Sequence, residues 1–266
     1  MALTILFYLA LLVFSQANSL KPHATCDYCD YRISERNLKQ DDTLLGMSYK
    51  VVIQNKQHHY ACTGAILNET HVITTATCIF PCGTTYRPEE LSIADSITEP
   101  TFKHNVVQII IHENFTYHPI LTNDIALLKV TPSITPSDTV KFAKLPQAND
   151  VEDCDITRLF GWRTPLRGID VTSFGISSYR IFNQTCCRKY YKFGSLNLDV
   201  LDTYLCAYSL DRDLFYFDSN RNIYHAGGLL TINGTLIGLL SGYRGENRNL
   251  LVMFVRVASY LTWINQ

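Results

Sequence analysis

Short β-rich runs separated by turn signals recur along this 266-residue chain and constrain its fold more than any other feature. They cover 48–54, 60–67, 71–77, 106–112, 125–130, 155–162, 174–183, 203–209, 228–232, 235–243 and 251–257. Many short strands at turn-punctuated spacing bury a core by closing into a sandwich or into barrels. Asn233-Gly234, between two of these runs, is a two-residue hairpin signal. Residues 257–266 break the pattern: Val257, Tyr260, Leu261 and Ile264 fall at helical spacing and predict a short closing helix. The length suits one large all-β domain or two small ones. Hydrophobic residues make up 47%, enough for a full core and too many for a disordered chain. A formal net charge of -1 lacks the basic footprint of a nucleic-acid binder.

The N-terminus reads as a targeting segment. Residues 2–14 form a nearly unbroken apolar run, too short to span a bilayer. Small residues follow, Ala17 and Ser19 among them, and then the polar break Lys21-Pro22, so residues 1–19 read as a cleaved signal peptide. No later run is long enough for a membrane helix, and the mature chain is expected to be soluble and extracellular. Nine cysteines suit an oxidising compartment. Four Asn-x-Ser/Thr sequons, at Asn68, Asn114, Asn183 and Asn233, agree with it.

Residues 20–32 form a short propeptide-like segment carrying Cys26 and Cys29. A structural zinc site needs a second pair of ligands at suitable spacing, and none is evident. A redox reading of Cys-x-x-Cys needs a βαβ context that an all-β chain lacks. His112-Glu113 lacks the second histidine of a zinc-protease helix, position 116 being Thr, and His58-His59 falls between runs as a solvated loop. No metal or cofactor is expected.

Five stretches carry a family resemblance. Cys62-Thr63-Gly64-Ala65-Ile66-Leu67 precedes Val72-Ile73-Thr74-Thr75-Ala76-Thr77-Cys78. Asn123-Asp124-Ile125-Ala126-Leu127-Leu128 follows, then Leu205-Cys206-Ala207. Tyr224-His225-Ala226-Gly227-Gly228-Leu229 comes next, with Ser241-Gly242-Tyr243 after it. The end, 255–264, is Val-Arg-Val-Ala-Ser-Tyr-Leu-Thr-Trp-Ile. In this order they resemble the chymotrypsin-like serine proteases, from about residue 33 to 266. The resemblance implies two antiparallel six-stranded β-barrels with a C-terminal helix.

It also implies that the chemistry is gone. Hydrolysis of this kind needs a hydroxyl nucleophile, an imidazole to take its proton and a carboxylate to orient the imidazole. The corresponding positions are Ala226, Thr77 and Asp124, so only the carboxylate survives. Threonine has no pKa near neutrality and cannot serve as the general base. Loss of nucleophile or base costs roughly 10^6 in turnover. Asp124 then reads as a buried carboxylate kept for its hydrogen bonds. A displaced triad built on His225 or His71 is not expected: on an extended segment His225 would point away from its neighbour, and His71 lies six residues from the required spot.

The surroundings depart as well. Tyr224 and His225 replace the glycine and aspartate before the nucleophile, and a histidine cannot pair with a newly released amino terminus. Arg32-Ile33 resembles the activation bond, but Ser34-Glu35-Arg36 replaces the usual sequence after it. Asn220 falls at the base of the specificity pocket, and Tyr243 stands where a glycine leaves its mouth open. The resemblance pairs Cys62 with Cys78, and Cys206 with Cys186 or Cys187. It places Cys154 at a bridging position whose usual partner position is Ile232. The bridge across the nucleophile loop is absent. Nine is odd, so one thiol stays free or joins a second chain.

The expected function is therefore a secreted, non-catalytic serine protease homologue. It would bind proteins, such as active proteases or their inhibitors, as cofactor, decoy or scaffold. The divergence suits an insect-like origin. The alternatives are an active endopeptidase with a rebuilt site, and a glycan- or surface-binding module on the same barrels.

Overall fold

In the computed structural model, the described residues are 48–55, 62–80, 83–95, 100–118, 121–147, 150–163, 173–193, 199–210, 226–241 and 251–266. All lie in the unit Tyr31–Gln266. The expected leader and N-terminal segment, with Cys26, Cys29, Arg32 and Ile33, lie outside them. So do His58, His59, Cys82, Asn220, Tyr224, His225 and Tyr243.

Twelve strands form two closed barrels. The first contains β1 (Lys50–Asn55), β2 (Cys62–Ile66), β3 (His71–Thr74), β4 (Leu91–Ala94), β5 (Lys103–Ile111) and β6 (Ala126–Thr131), in the order β1-β2-β3-β6-β5-β4. The second contains β7 (Ile156–Arg163), β8 (Ser173–Phe182), β9 (Tyr204–Ser209), β10 (Leu229–Ile232), β11 (Thr235–Leu240) and β12 (Leu251–Arg256). Read from β7, its order is the same with each strand six places later, and neighbouring strands pair antiparallel throughout. Closure leaves neither sheet an open edge to recruit another strand.

The second barrel is filled by alternate residues of its strands: Leu159, Tyr179, Ile181, Leu205, Ala207, Leu230, Ile237 and Phe254. The intervening residues Phe160, Phe182, Cys206, Leu229 and Val255 join one continuous core with Val51, Ile53, Ala65, Ile73 and Leu128 of the first barrel. The period of two therefore supplies both the inside of a barrel and the face it presents outward.

Three local expectations need correction. Strand β4 falls where no run was expected, because Leu-Ser-Ile-Ala is short and buried at all four positions, so no alternation marks it. The 71–77 run ends at Thr74, and Ala76–Ile79 turns into a short helix, α1. Residues Gln184–Phe193 form a helix, α2, despite a Thr-, Cys- and Tyr-rich sequence. Asn183 caps it: Cys186 N donates to Asn183 Oδ1 at 3.1 Å, and Cys187 and Tyr191 are buried one turn apart. The closing helix is present as a 3-10 turn, Val257–Tyr260, running into α3 (Leu261–Ile264).

Cys62 bonds Cys78, and Cys206 bonds Cys187 rather than Cys186, with Cα separations of 5.8 and 6.2 Å. Cys154 and Cys186 are disulfide-bonded too. Ile232 ends β10 and offers Cys154 no sulfur.

Candidate functional site

The seam between the barrels holds Thr77, Asp124 and Ala226, three of the positions singled out in the sequence. Asp124 precedes β6 and is fully buried. Its Oδ1 accepts the backbone N–H of Thr77 at 2.7 Å, and its Oδ2 accepts the Thr77 hydroxyl at 3.0 Å. Across the seam, Ser241 Oγ donates to the same Oδ2 at 2.7 Å. Thr77 holds both carboxylate oxygens from the first turn of α1, while Ser241 stands just beyond the end of β11. The carboxylate is thus a bracket between barrels, a role the sequence suggested only in part: hydrogen bonding to backbone was expected, bonding to Ser241 was not.

Ala226 lies in the turn that leads into β10, its side chain packed against the shared core. Its carbonyl accepts the N–H of Thr63 at 3.3 Å. Gly227 follows with a φ of +82°, and its N–H donates to Leu240 O at 2.9 Å. A β-carbon on Gly227 would stand 2.1 Å from Thr63 O and 2.6 Å from Thr74 Oγ1, so both the left-handed backbone and the close approach demand glycine.

Thr63 is the residue that sequence reasoning passed over. Cys62-Thr63-Gly64 resembles the Cys-Gly-Gly of the serine proteases, so Thr63 stands where that pattern has its first glycine. Fully buried on β2, it makes three bonds: N–H to Ala226 O, its carbonyl from Thr74 Oγ1 at 2.8 Å, and its Oγ1 from Trp162 N at 3.3 Å. The hydroxyl thus ties β2 to β7 where a glycine has nothing to offer. The one available signal was the departure itself: a hydroxyl appearing at a buried glycine position.

Tyrosines complete the seam. Tyr204 OH donates to Leu121 O at 3.1 Å, and Tyr260 OH to Asn123 Oδ1 at 3.1 Å. Both phenols titrate above their ordinary range: burial dominates, and the Asp124 charge nearby adds to it. His112 packs at a tilt against Trp263 of α3, whose Nε1 donates to Glu113 Oε2 at 3.1 Å. This pair seats the closing helix on the first barrel.

The remaining sites are separate from the seam. Asn68 and Asn114 are exposed on loops of the first barrel, Asn183 caps α2, and Asn233 occupies the β10–β11 turn with a φ of +48°. Among the described residues, no group of three or more His, Cys, Asp or Glu is placed to hold a metal ion, and no helix is long and apolar enough to cross a membrane.

Comparison with known proteins agrees with this architecture. Trypsin theta of Drosophila erecta is 24% identical over 235 residues, spanning 85% of this chain and 83% of its own. Trypsin alkaline A of Manduca sexta is 28% identical, spanning 77% and 78%. Among solved structures, the scabies mite inactivated protease paralogue S-D1 superposes with a TM-score of 0.69 at 23% identity, covering 84% of this chain and 92% of that one. Kallikrein-related peptidase 10 in complex with Zn2+ gives 0.63 at 21%, covering 84% and 96%. The family model described as Trypsin matches residues 40–264, and with two six-stranded barrels meeting at this seam the chain belongs to the trypsin family.

Proposed function

We propose that this chain is a secreted, non-catalytic member of the family that acts by binding other proteins. Thr77, Asp124 and Ala226 are its triad-equivalent positions. Residues 1–19 are a cleaved leader, 20–32 a short N-terminal segment, and 33–266 the protease-like domain. Asn220 and Tyr243 alter the specificity pocket, and Arg32-Ile33 is a vestigial activation bond.

The observation that carries this reading is the bonding of Asp124. In a hydrolase the carboxylate must orient an imidazole. Here Thr77 bonds both of its oxygens and Ser241 shares one, so the carboxylate is committed to holding the fold. The methyl of Ala226 cannot attack a carbonyl, and Thr77, at the imidazole-equivalent position, cannot take a proton near neutral pH. Positioning and backbone dipoles alone leave turnover roughly 10^6 below that of an intact triad. The resemblance to an inactivated paralogue supports the reading through the fold.

The partner class that follows is an active protease or a protease inhibitor. Affinity capture from the native fluid tests this, with the eluate labelled by a fluorophosphonate probe. A labelled band at another mass supports docking on an active protease. Label at this chain's own mass would overturn the non-catalytic reading in favour of a rebuilt enzyme.

A further inference from the structure

Three of the four sequons, at Asn68, Asn114 and Asn183, differ at the one atom that matters for glycan attachment, the side-chain amide nitrogen. We propose that Asn68 and Asn114 carry N-linked glycans and that Asn183 stays bare; the proposal rests on the secreted reading above.

At Asn68 the polar load falls on the oxygen. Oδ1 accepts Thr70 N at 2.9 Å and His71 N at 2.9 Å, with Thr70 Oγ1 and His71 Nδ1 each at 3.2 Å. Nδ2 makes no hydrogen bond among the described residues, and the residue is exposed. Asn114 is anchored by its backbone instead. Its N–H donates to His112 Nδ1 at 3.2 Å, and its carbonyl accepts Asn123 Nδ2 at 2.8 Å and Thr122 Oγ1 at 3.4 Å. Its side chain projects exposed from a pinned turn closed by Phe115 N to His112 O at 2.9 Å. Among the described residues, a sugar on either nitrogen breaks no hydrogen bond.

Asn183 is the opposite case. Nδ2 donates to Asp153 Oδ2 at 2.5 Å while Oδ1 caps α2, so both ends of the amide are in use and the residue is half-buried. A sugar there would have to push Asp153 away from the helix cap.

The modification is a transfer without redox change. The asparagine nitrogen attacks the anomeric carbon of an oligosaccharide carried on a lipid pyrophosphate. The new N–C bond forms, the C–O bond to pyrophosphate breaks, one amide proton leaves, and the lipid pyrophosphate departs. The enzyme is the host's oligosaccharide transferase, acting in the secretory pathway. The consequence is local: Asn114 is bonded to Asn123, next to Asp124, so its glycan stands on the loop that carries the seam carboxylate.

The test uses the full chain in insect cells in two forms, one with residues 1–19 as the leader and one with a standard cleavable leader in their place. Protein is treated with peptide N-glycosidase in 18O water, which converts each glycosylated asparagine to isotopically marked aspartate, and is then mapped by mass spectrometry. Marks at Asn68 and Asn114 and none at Asn183 are expected, with N68Q and N114Q each losing one step of mobility on a gel. In the standard-leader form, an unmarked Asn68 or Asn114, or a marked Asn183, overturns the proposal. Failure of the native-leader form alone to enter the medium sinks the secreted reading and leaves the glycan assignment standing on the other form.

Discussion

Removing the carboxylate of Asp124 should unfold the seam rather than abolish an activity. In Asp124→Ala, the Thr77 N–H and the Ser241 hydroxyl lose an acceptor that stands 2.7 Å from each. The Thr77 hydroxyl fares better, because Thr75 Oγ1 lies 3.3 Å away and can take its proton. Each buried donor left without a partner costs about 1–3 kcal/mol, while release from burying a charge offsets part of the loss, for a net of about 3 kcal/mol. For a domain of this size that corresponds to a fall in Tm of about 6–12 °C. Asp124→Asn should cost only about 1 kcal/mol, since its amide oxygen still accepts the Thr77 N–H and its NH2 can donate to Ser241. Urea unfolding with disulfides intact, followed through Trp162 and Trp263, measures both, and an unchanged m-value confirms that the change is in stability. A cost below ~0.5 kcal/mol for the alanine variant, the range of an inert surface change, would refute the bracket role.

Neither Thr77→His nor Ala226→Ser alone should restore fluorophosphonate labelling, because nucleophile and base act as a unit and losing one costs about as much as losing both; labelling of either single variant would show that the other group is present elsewhere. Gly227→Ala should cost more than about 3 kcal/mol, combining left-handed strain with overlap against Thr63 O, and is read from soluble yield and urea midpoint. Alkaline stability should fall above the ordinary tyrosine range. Tyr204 and Tyr260 have folded pKa values raised above the unfolded one, so their contribution is fully present below pH 10.0 and is lost as pH rises towards the folded value. Tyr204→Phe should lower the midpoint at neutral pH, by losing the Leu121 bond, yet flatten the alkaline decline; an unchanged alkaline slope would refute this.

What could be read from sequence divides along a physical line. The barrels were legible because closure depends on many short strands with a period of two, and that pattern survives divergence. Strand β4 was not, because four consecutive buried residues carry no period. Helix α2 was not, because its stability comes from the Asn183 cap and from Cys187 and Tyr191 packing inward, contacts that override a β-prone composition. The choice of Cys187 over Cys186 as the partner of Cys206 likewise waits on the helix, which turns successive residues through about 100° and so aims only one of them at β9. At the seam, a sequence reports what has been lost at a position more readily than what has been gained. In the proposed reading Ala226 and Thr77 mark missing chemistry, but that Thr77 bonds both oxygens of Asp124, or that Thr63 tethers Ala226 and Trp162, requires residues 47, 163 and 99 positions apart to meet. The retained residues share one property: Asp124, Gly227 and Ser241 each make a bond or a close approach that the joining of the two barrels depends on. An imidazole and a nucleophilic hydroxyl serve hydrolysis, and the fold closes without them. Once hydrolysis is no longer required, those two positions are free to change while the bracket is held. Survival of the aspartate motif in such a chain is therefore evidence about how the barrels are joined, and carries no weight as evidence of catalysis.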